Sequence, residues 1–577
     1  MKLTKDRSAP LAGCPTESAG GSPGTLAESR CIRARLRLAR RAAIVSASWF
    51  ALGACVPPGD GVVPPTDVLY FPVALTTDSQ KSHLFVVGSD FDLQYNHGTI
   101  HSLSLARLRE LAGKPCKVDA ECQAAEPDSK CDVEPTEQND GRPSFLCVQA
   151  KGPHALDPCR GLGFKTVSLR ASSPGLCAPV DLEEPADGKG SLVRDVVQIP
   201  AFATDAVMLA RPADVDSGPS ERLFVPSRGD SALHWVDVED GKLRCGQGSG
   251  NICSDDYRTY ENPDVVTNYD TGETLKAPVD PFSITASRDG ALLAITHQTD
   301  RAVSAYVHDW ARGAKLVSVY RSTLGTPVSI EAMPGAFASD DPESRTGFLM
   351  TFRDLAEVRL LRFFPAKGDR AGDPGALLEV GRAPLRLNSP GLHSRGIVVD
   401  SSAFEEKAGS CAEGDVECLL QARSLPRSVY VTNRSPNSVV VGRIDPGAFT
   451  DSSSELPSFV QSFPVGEGPA QLFLGNVMAP SGQVEPRLFV VCFDAAVIYV
   501  FDPVRGKFDT QINTGRGPQG LAFDNFDEAS GEVHPLLYVG HFTDSYVAVI
   551  SLDQRYPTTY GATLATVGFP QPPRAAK

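Results

Sequence analysis

The chain has 577 residues, 41% of them hydrophobic, enough for several domains or for one large all-β body. Its 51 glycines and 46 prolines favour many turns over long helices. Residues 1–55 carry nine Lys or Arg against three acids, so the formal charge of −15 leaves −21 on residues 56–577; a body this acidic, with no basic stripe, excludes a phosphate backbone as partner, and no nucleic acid is expected.

The first element, residues 1–55, reads as a leader. Leu11-Ala12-Gly13-Cys14 and Leu52-Gly53-Ala54-Cys55 share a pattern of small residues before a cysteine, but only the second follows a basic run, RARLRLARR, and the apolar segment AAIVSASWFALGA. Secretory signals need that order of charge, apolar segment and small residues. The stretch resembles a bacterial lipoprotein signal, which implies lipidation of Cys55, a lipid anchor in the membrane, and a place in the cell envelope. Val56 behind the cysteine favours the outer over the inner membrane. An ordinary cleaved signal or a short anchor is the alternative. Residues 1–30 have no role in such a signal, so translation is expected to start near Leu26 or Leu36. Residues 56–66, rich in Pro and Gly, read as a tether.

From residue 67 to 577 one unit recurs seven times: an apolar burst, a polar turn and a second apolar run. The bursts begin at Leu84, Leu223, Leu292, Phe348, Val429, Leu488 and Leu537. A Gly/Pro turn introduces a preceding strand, as in GEGPAQLFL from Gly466 and GRGPQGLAF from Gly515, and a linking strand completes the unit. Bursts such as LFVV and LLAI are continuously apolar, which suits sheets buried on both faces. Four strands per unit in seven units predicts an all-β, seven-bladed β-propeller, with unrelated hairpins in a sandwich or barrel as the alternative. Val429–Asn433 (VYVTN), Gly466–Pro469 and Gly515–Pro518 resemble the YVTN-repeat propellers, a family grouped with lactonase-type seven-bladed propellers. The resemblance implies a propeller of the envelope or exterior, and its motif carries no catalytic residue.

Cys116, Cys122, Cys131, Cys147, Cys159 and Cys177 fall in an insertion at about 106–198, between blades 1 and 2. Cys245/Cys253 and Cys411/Cys418 form close pairs, and Cys492 stands alone in a strand. Behind a secretion signal these ten grouped cysteines read as disulfide candidates. Zinc is the weaker alternative, since no C-x2-C spacing occurs. The insertion is either an extra binding surface or a solvated elaboration.

Aligning the seven units puts Gly88, Ser227, His297, Phe352, Asn433, Cys492 and His541 at one position, the end of the second strand. Ser227, His297, Asn433 and His541 are therefore candidates for a polar ring at the channel mouth; the alternative is that each satisfies its own turn. No catalytic residue and no resident metal or cofactor is expected, although the acidic stretches 214–218 and 524–532 raise calcium as an option. H-E-x-x-H and phosphate-loop patterns are absent from the sequence, and residues 56–577 hold no G-x-S-x-G. The expected protein is a monomeric, lipid-anchored binding or scaffolding module for a protein or glycan; the family resemblance alone implies a lactonase-type hydrolase as the alternative.

Overall fold

The structure is a computed structural model that describes residues 62–568, less several loop stretches, of which 152–178 and 335–345 are the longest. The leader with Cys55, residues 56–61 of the tether, Cys159 and Cys177 lie outside the described residues.

Seven antiparallel sheets follow one another along the chain. Blade 1 consists of Pro72–Thr77, His83–Gly88, His97–Ser104 and Val193–Pro200; blades 3 to 7 span 281–321, 327–384, 392–464, 469–513 and 518–567. In blade 2 (207–259) the outer strand is split into Lys242–Arg244 and Arg258–Thr259, which both pair with the third strand Ala232–Glu239. The Cys245–Cys253 disulfide closes the loop between the two pieces. The second strands are buried along almost their whole length, as in His83–Gly88, Leu292–His297 and Gly347–Phe352. Apolar faces of neighbouring blades press together there, so the continuous apolar bursts have their physical reason.

Every blade comes from one stretch of chain apart from insertions, so no exchanged strand closes the circle. Closure instead uses the inner strand of blade 1 against that of blade 7. A Cβ at Gly520 would stand 2.9 Å from both Ala74 Cα and Leu75 N, so glycine permits this backbone contact.

The disulfide-bearing insertion strengthens the same seam. It leaves blade 1 after the third strand and returns as the fourth, so Val193–Pro200 completes blade 1. Helix α1, Leu105–Ala112, is capped by Ser104 and buries Leu105 and Leu108 with Val549 and Leu564 of blade 7 in one cluster. The buried Asp524 of blade 7 accepts hydrogen bonds from Arg109 at 2.8 and 2.7 Å and from the Tyr538 hydroxyl at 3.0 Å. Val180 adds a parallel bridge to Val567 on blade 7's outer strand, bonded at 2.8 and 2.9 Å. The described part of the insertion is therefore a latch across blades 1 and 7. Its disulfides are Cys116–Cys131 and Cys122–Cys147, which occupy the sulfurs that a zinc ion would need. Cys411–Cys418 joins two short helices, Ser402–Gly409 (α2) and Val416–Arg423 (α3), inserted in blade 5.

Candidate functional site

Five inner strands begin with proline: Pro72, Pro281, Pro327, Pro469 and Pro518. Proline has no N–H to donate and is tolerated at a strand's first residue. Within the next three residues each of these strands slips its register against the second strand. Blade 5 has the same slip between Ser394 and Ile397. A bulge turns its extra residues away from the sheet, and here they face the channel mouth: Val73, Phe282, Ser329, Arg395, Ala470 and Gln519.

Aspartates on the facing turns hold the approach to these strands. Asp300 accepts the Val279 N–H at 3.0 Å, Asp354 that of Thr326 at 2.6 Å, and Asp544 that of Arg516 at 2.9 Å. In blade 6, Gly468 has φ +67°, and a Cβ there would lie 2.1 Å from Asp494 Oδ2. Both the left-handed backbone and the crowding explain its glycine.

The predicted polar ring is corrected by the structure. Ser227, His297, Asn433 and His541 are all at most 1% exposed, sealed between blades. Ser227 Oγ donates to Ala201 O at 2.9 Å, His297 Nε2 pairs with Ser304 Oγ at 2.7 Å, and Asn433 Oδ1 accepts from Ser394 at 2.7 Å. His541 Nε2 accepts the Gly515 N–H at 3.2 Å while its ring stacks on Tyr546, centroids 4.1 Å apart. Burial depresses His297 to about 4 and His541 to about 3, so both stay neutral. Cys492 is a buried free thiol pushed up to about 12 by the same desolvation. The partners of the four lie 7 to 39 residues away, so these residues tie neighbouring segments together inside the blades and do not line the mouth.

The mouth itself is built one residue further on. Arg228 follows Ser227, Arg353 follows Phe352, Arg434 follows Asn433, Phe493 follows Cys492 and Phe542 follows His541. Successive strand residues point to opposite sides, so one step moves a side chain from a blade interior to the opening.

Two depressions adjoin at the mouth, sharing Phe282, Phe493 and Gln519. One, about 150 Å³, is aromatic: Phe91, Phe202, Phe282, Phe493 and Phe542 line it, with Arg228 at its margin. Four of the rings form a continuous patch, with Phe91–Phe202 centroids 5.7 Å, Phe91–Phe542 5.3 Å and Phe493–Phe542 6.0 Å apart. Phe91 is 49% exposed. Arg228 is ion-paired with Asp280.

The other depression, about 230 Å³, is cationic, lined by Arg395 and Arg434 with Asp494 and polar groups from Ser283, Ser329 and Gln471. Arg434 reaches Asp494 only at 3.6 Å, and its remaining partners are the carbonyls of Pro469 and Gly468 at 3.3 and 3.4 Å. Arg395 Nε is buried without a hydrogen-bond partner. Desolvation, then repulsion from Arg434 and Arg353, lowers the Arg395 guanidinium to about 10.

Below the mouth, the inner strands of all seven blades surround a channel of about 360 Å³. Two carboxyl groups enter it. Asp205 accepts from Ser283 Oγ and the Ile284 N–H, both at 3.1 Å. Desolvation still lifts it to about 6. Glu331, on the inner strand of blade 4, is lifted to about 8 by desolvation and by repulsion from Asp205. Neither carboxyl was a candidate in the sequence, because inner strands read as structural. The acidic stretch 524–532 begins with the Asp524 that Arg109 engages, and residues 528–532 lie outside the described residues.

No family model and no curated protein matches the chain. Among solved structures, the periplasmic gluconolactonase of Pseudomonas aeruginosa is similar at 15% identity and TM-score 0.38, covering 77% of this chain and 86% of that one. A Lactobacillus plantarum protein matches at 10% identity and TM-score 0.40, over 78% of this chain and 86% of that one. Kuenenia stuttgartiensis hydrazine synthase matches at 10% and 0.41, over 86% and 99%.

Proposed function

We propose that this is a lipid-anchored protein of the bacterial envelope, outer membrane rather than inner, whose YVTN-type propeller is a binding module with its recognition site at the channel mouth. One observation carries the binding assignment: the bulged inner strands and the turns facing them bring an exposed phenylalanine patch and a cationic depression together at one opening. Exposed apolar patches beside convergent polar groups are where soluble proteins hold ligands. A protein or glycan fits an opening of this kind, because both offer flat apolar faces edged with polar groups.

A second reading, a lactonase-type hydrolase, rests on Asp205 and Glu331. Two carboxyl groups in one channel with their acidities pushed apart, to about 6 and about 8, supply the acid and base of a hydrolytic step.

One experiment addresses both readings. The full chain, expressed in a Gram-negative host and purified from membranes, is used to capture partners from envelope extract and is assayed on a lactone panel. Capture lost in Phe493→Ala, with no turnover, supports the binding module. Turnover lost in Glu331→Gln replaces that reading with the hydrolase. Fractionation of Cys55→Ala tests the anchor: the variant leaves the membrane fraction folded, and its retention there contradicts lipidation.

A further inference from the structure

The body of the chain carries a net charge of −21 over residues 56–577, yet one depression of its mouth is lined by two guanidinium groups and a single carboxylate. Arg395 and Arg434 line the cationic depression against Asp494 alone, and Arg353 stands close enough to repel Arg395. Arg395 keeps a buried Nε unpartnered. A buried donor without an acceptor costs free energy, as does a guanidinium pressed towards two others, so the arrangement is completed by an anion. Planar guanidinium groups match a carboxylate in shape and number of donors.

The charge of the depression selects the kind of anion. Two guanidinium groups and one carboxylate leave a net +1 among its lining residues, which a single negative charge neutralises. Phe282 and Phe493 form the wall shared with the aromatic depression. A ligand whose acid group lies among the arginines therefore rests its body on those rings. The C–H face of a sugar ring suits such a wall, while Ser283, Ser329 and Gln471 offer partners for its hydroxyls.

We infer that the mouth recognises a carboxylate-bearing sugar, a hexuronate unit of an acidic glycan, with the carboxylate held by Arg395 and Arg434 and the ring on Phe282 and Phe493. This rests on the channel mouth being the binding site and adds the class of ligand.

The test is calorimetric titration of the full chain with trigalacturonate, its methyl ester and galactose 1-phosphate. The acid binds, and esterification or Arg434→Gln weakens binding at least about tenfold, as loss of a charge-assisted contact requires. Phe493→Ala also weakens it. Arg434 is only half-buried, and thermal melting checks that Arg434→Gln remains folded; Arg434→Lys, which keeps the charge, retains part of the affinity. Equal binding of acid and ester, tighter binding of the phosphate, or unchanged affinity in Arg434→Gln overturns the inference. If the ester binds and Phe493→Ala abolishes that binding, the mouth stands as the site and only the acid specificity falls. If none of the three probes binds up to low millimolar concentration, the inference falls, and envelope capture with Phe493→Ala decides the broader reading separately.

Discussion

Glu331 lines the channel two blades from Asp205, and desolvation, joined by repulsion from Asp205, raises its affinity for protons. The consequence for stability has a definite sign. An acid whose folded value is about 8 against an ordinary value of 4.5 binds more protons folded than unfolded between those values. Stability therefore falls as pH rises through that window. Glu331→Gln removes the titration, so the variant gains thermal stability over the parent at pH 8 and little at pH 4.5. Melting curves at the two values check this; a parent whose stability climbs steadily from pH 5 to 8, with the variant parallel to it, contradicts it. The sequence gives little warning of either carboxyl. Asp205 stands in TDAVM just ahead of a strand and Glu331 in VSIEA, an ordinary strand sequence, and only the closed ring of inner strands shows which side of Glu331 faces the axis. The polar ring failed for a related reason. Aligning repeats located the ends of the second strands, as at His297 and Asn433, but strand alternation made the neighbouring residue the exposed one.

Among the elements, the repeat was the most legible. Apolar bursts, polar turns and Gly-x-x-Pro entries each have a local cause, and the proline that opens five inner strands also marks where the bulge follows. Hidden from the sequence was the use made of the cysteine-rich insertion. Helix α1 looks like ordinary loop filling, LARLRELA, until Asp524 appears 415 residues away as the partner of Arg109. The Asp524 side chain is wholly buried and that of Arg109 22% exposed, so cutting the pair strands a carboxylate. Arg109→Ala is expected to cost about 3 kcal/mol, the low end for breaking a buried ion pair, with Tyr538 still donating to Asp524. Asp524→Asn in the same background recovers part of the loss. Urea unfolding of the three proteins measures this; a change under about 0.5 kcal/mol, ordinary for surface positions, in Arg109→Ala would show that the latch does not stabilise the closed ring.

On the scale of the whole molecule, seven sheets leave one opening in which chemistry of two kinds meets. Among the described residues, no disulfide cysteine lines it. Cys116–Cys131 and Cys122–Cys147 brace the latch, Cys245–Cys253 the broken edge of blade 2, and Cys411–Cys418 the helices of blade 5. Such cross-links persist outside the reducing cytoplasm, where the proposed envelope location would put them. Each stiffens an insertion or edge, while the mouth is fixed by bulges and aspartate-held turns. Recognition residues and stabilising residues are thus separated, and variants at Arg434 or Phe493 can be read as changes in binding.

The most direct measurement is hydrogen–deuterium exchange on the full chain with and without saturating trigalacturonate. Protection is predicted in the turn amides of Arg434, Ser435 and Asn437 and of residues 493–496, with the latch and the outer strands unchanged. Protection confined to the latch or to the outer edges of the blades, with those turns unaffected, would contradict a recognition site at the channel mouth.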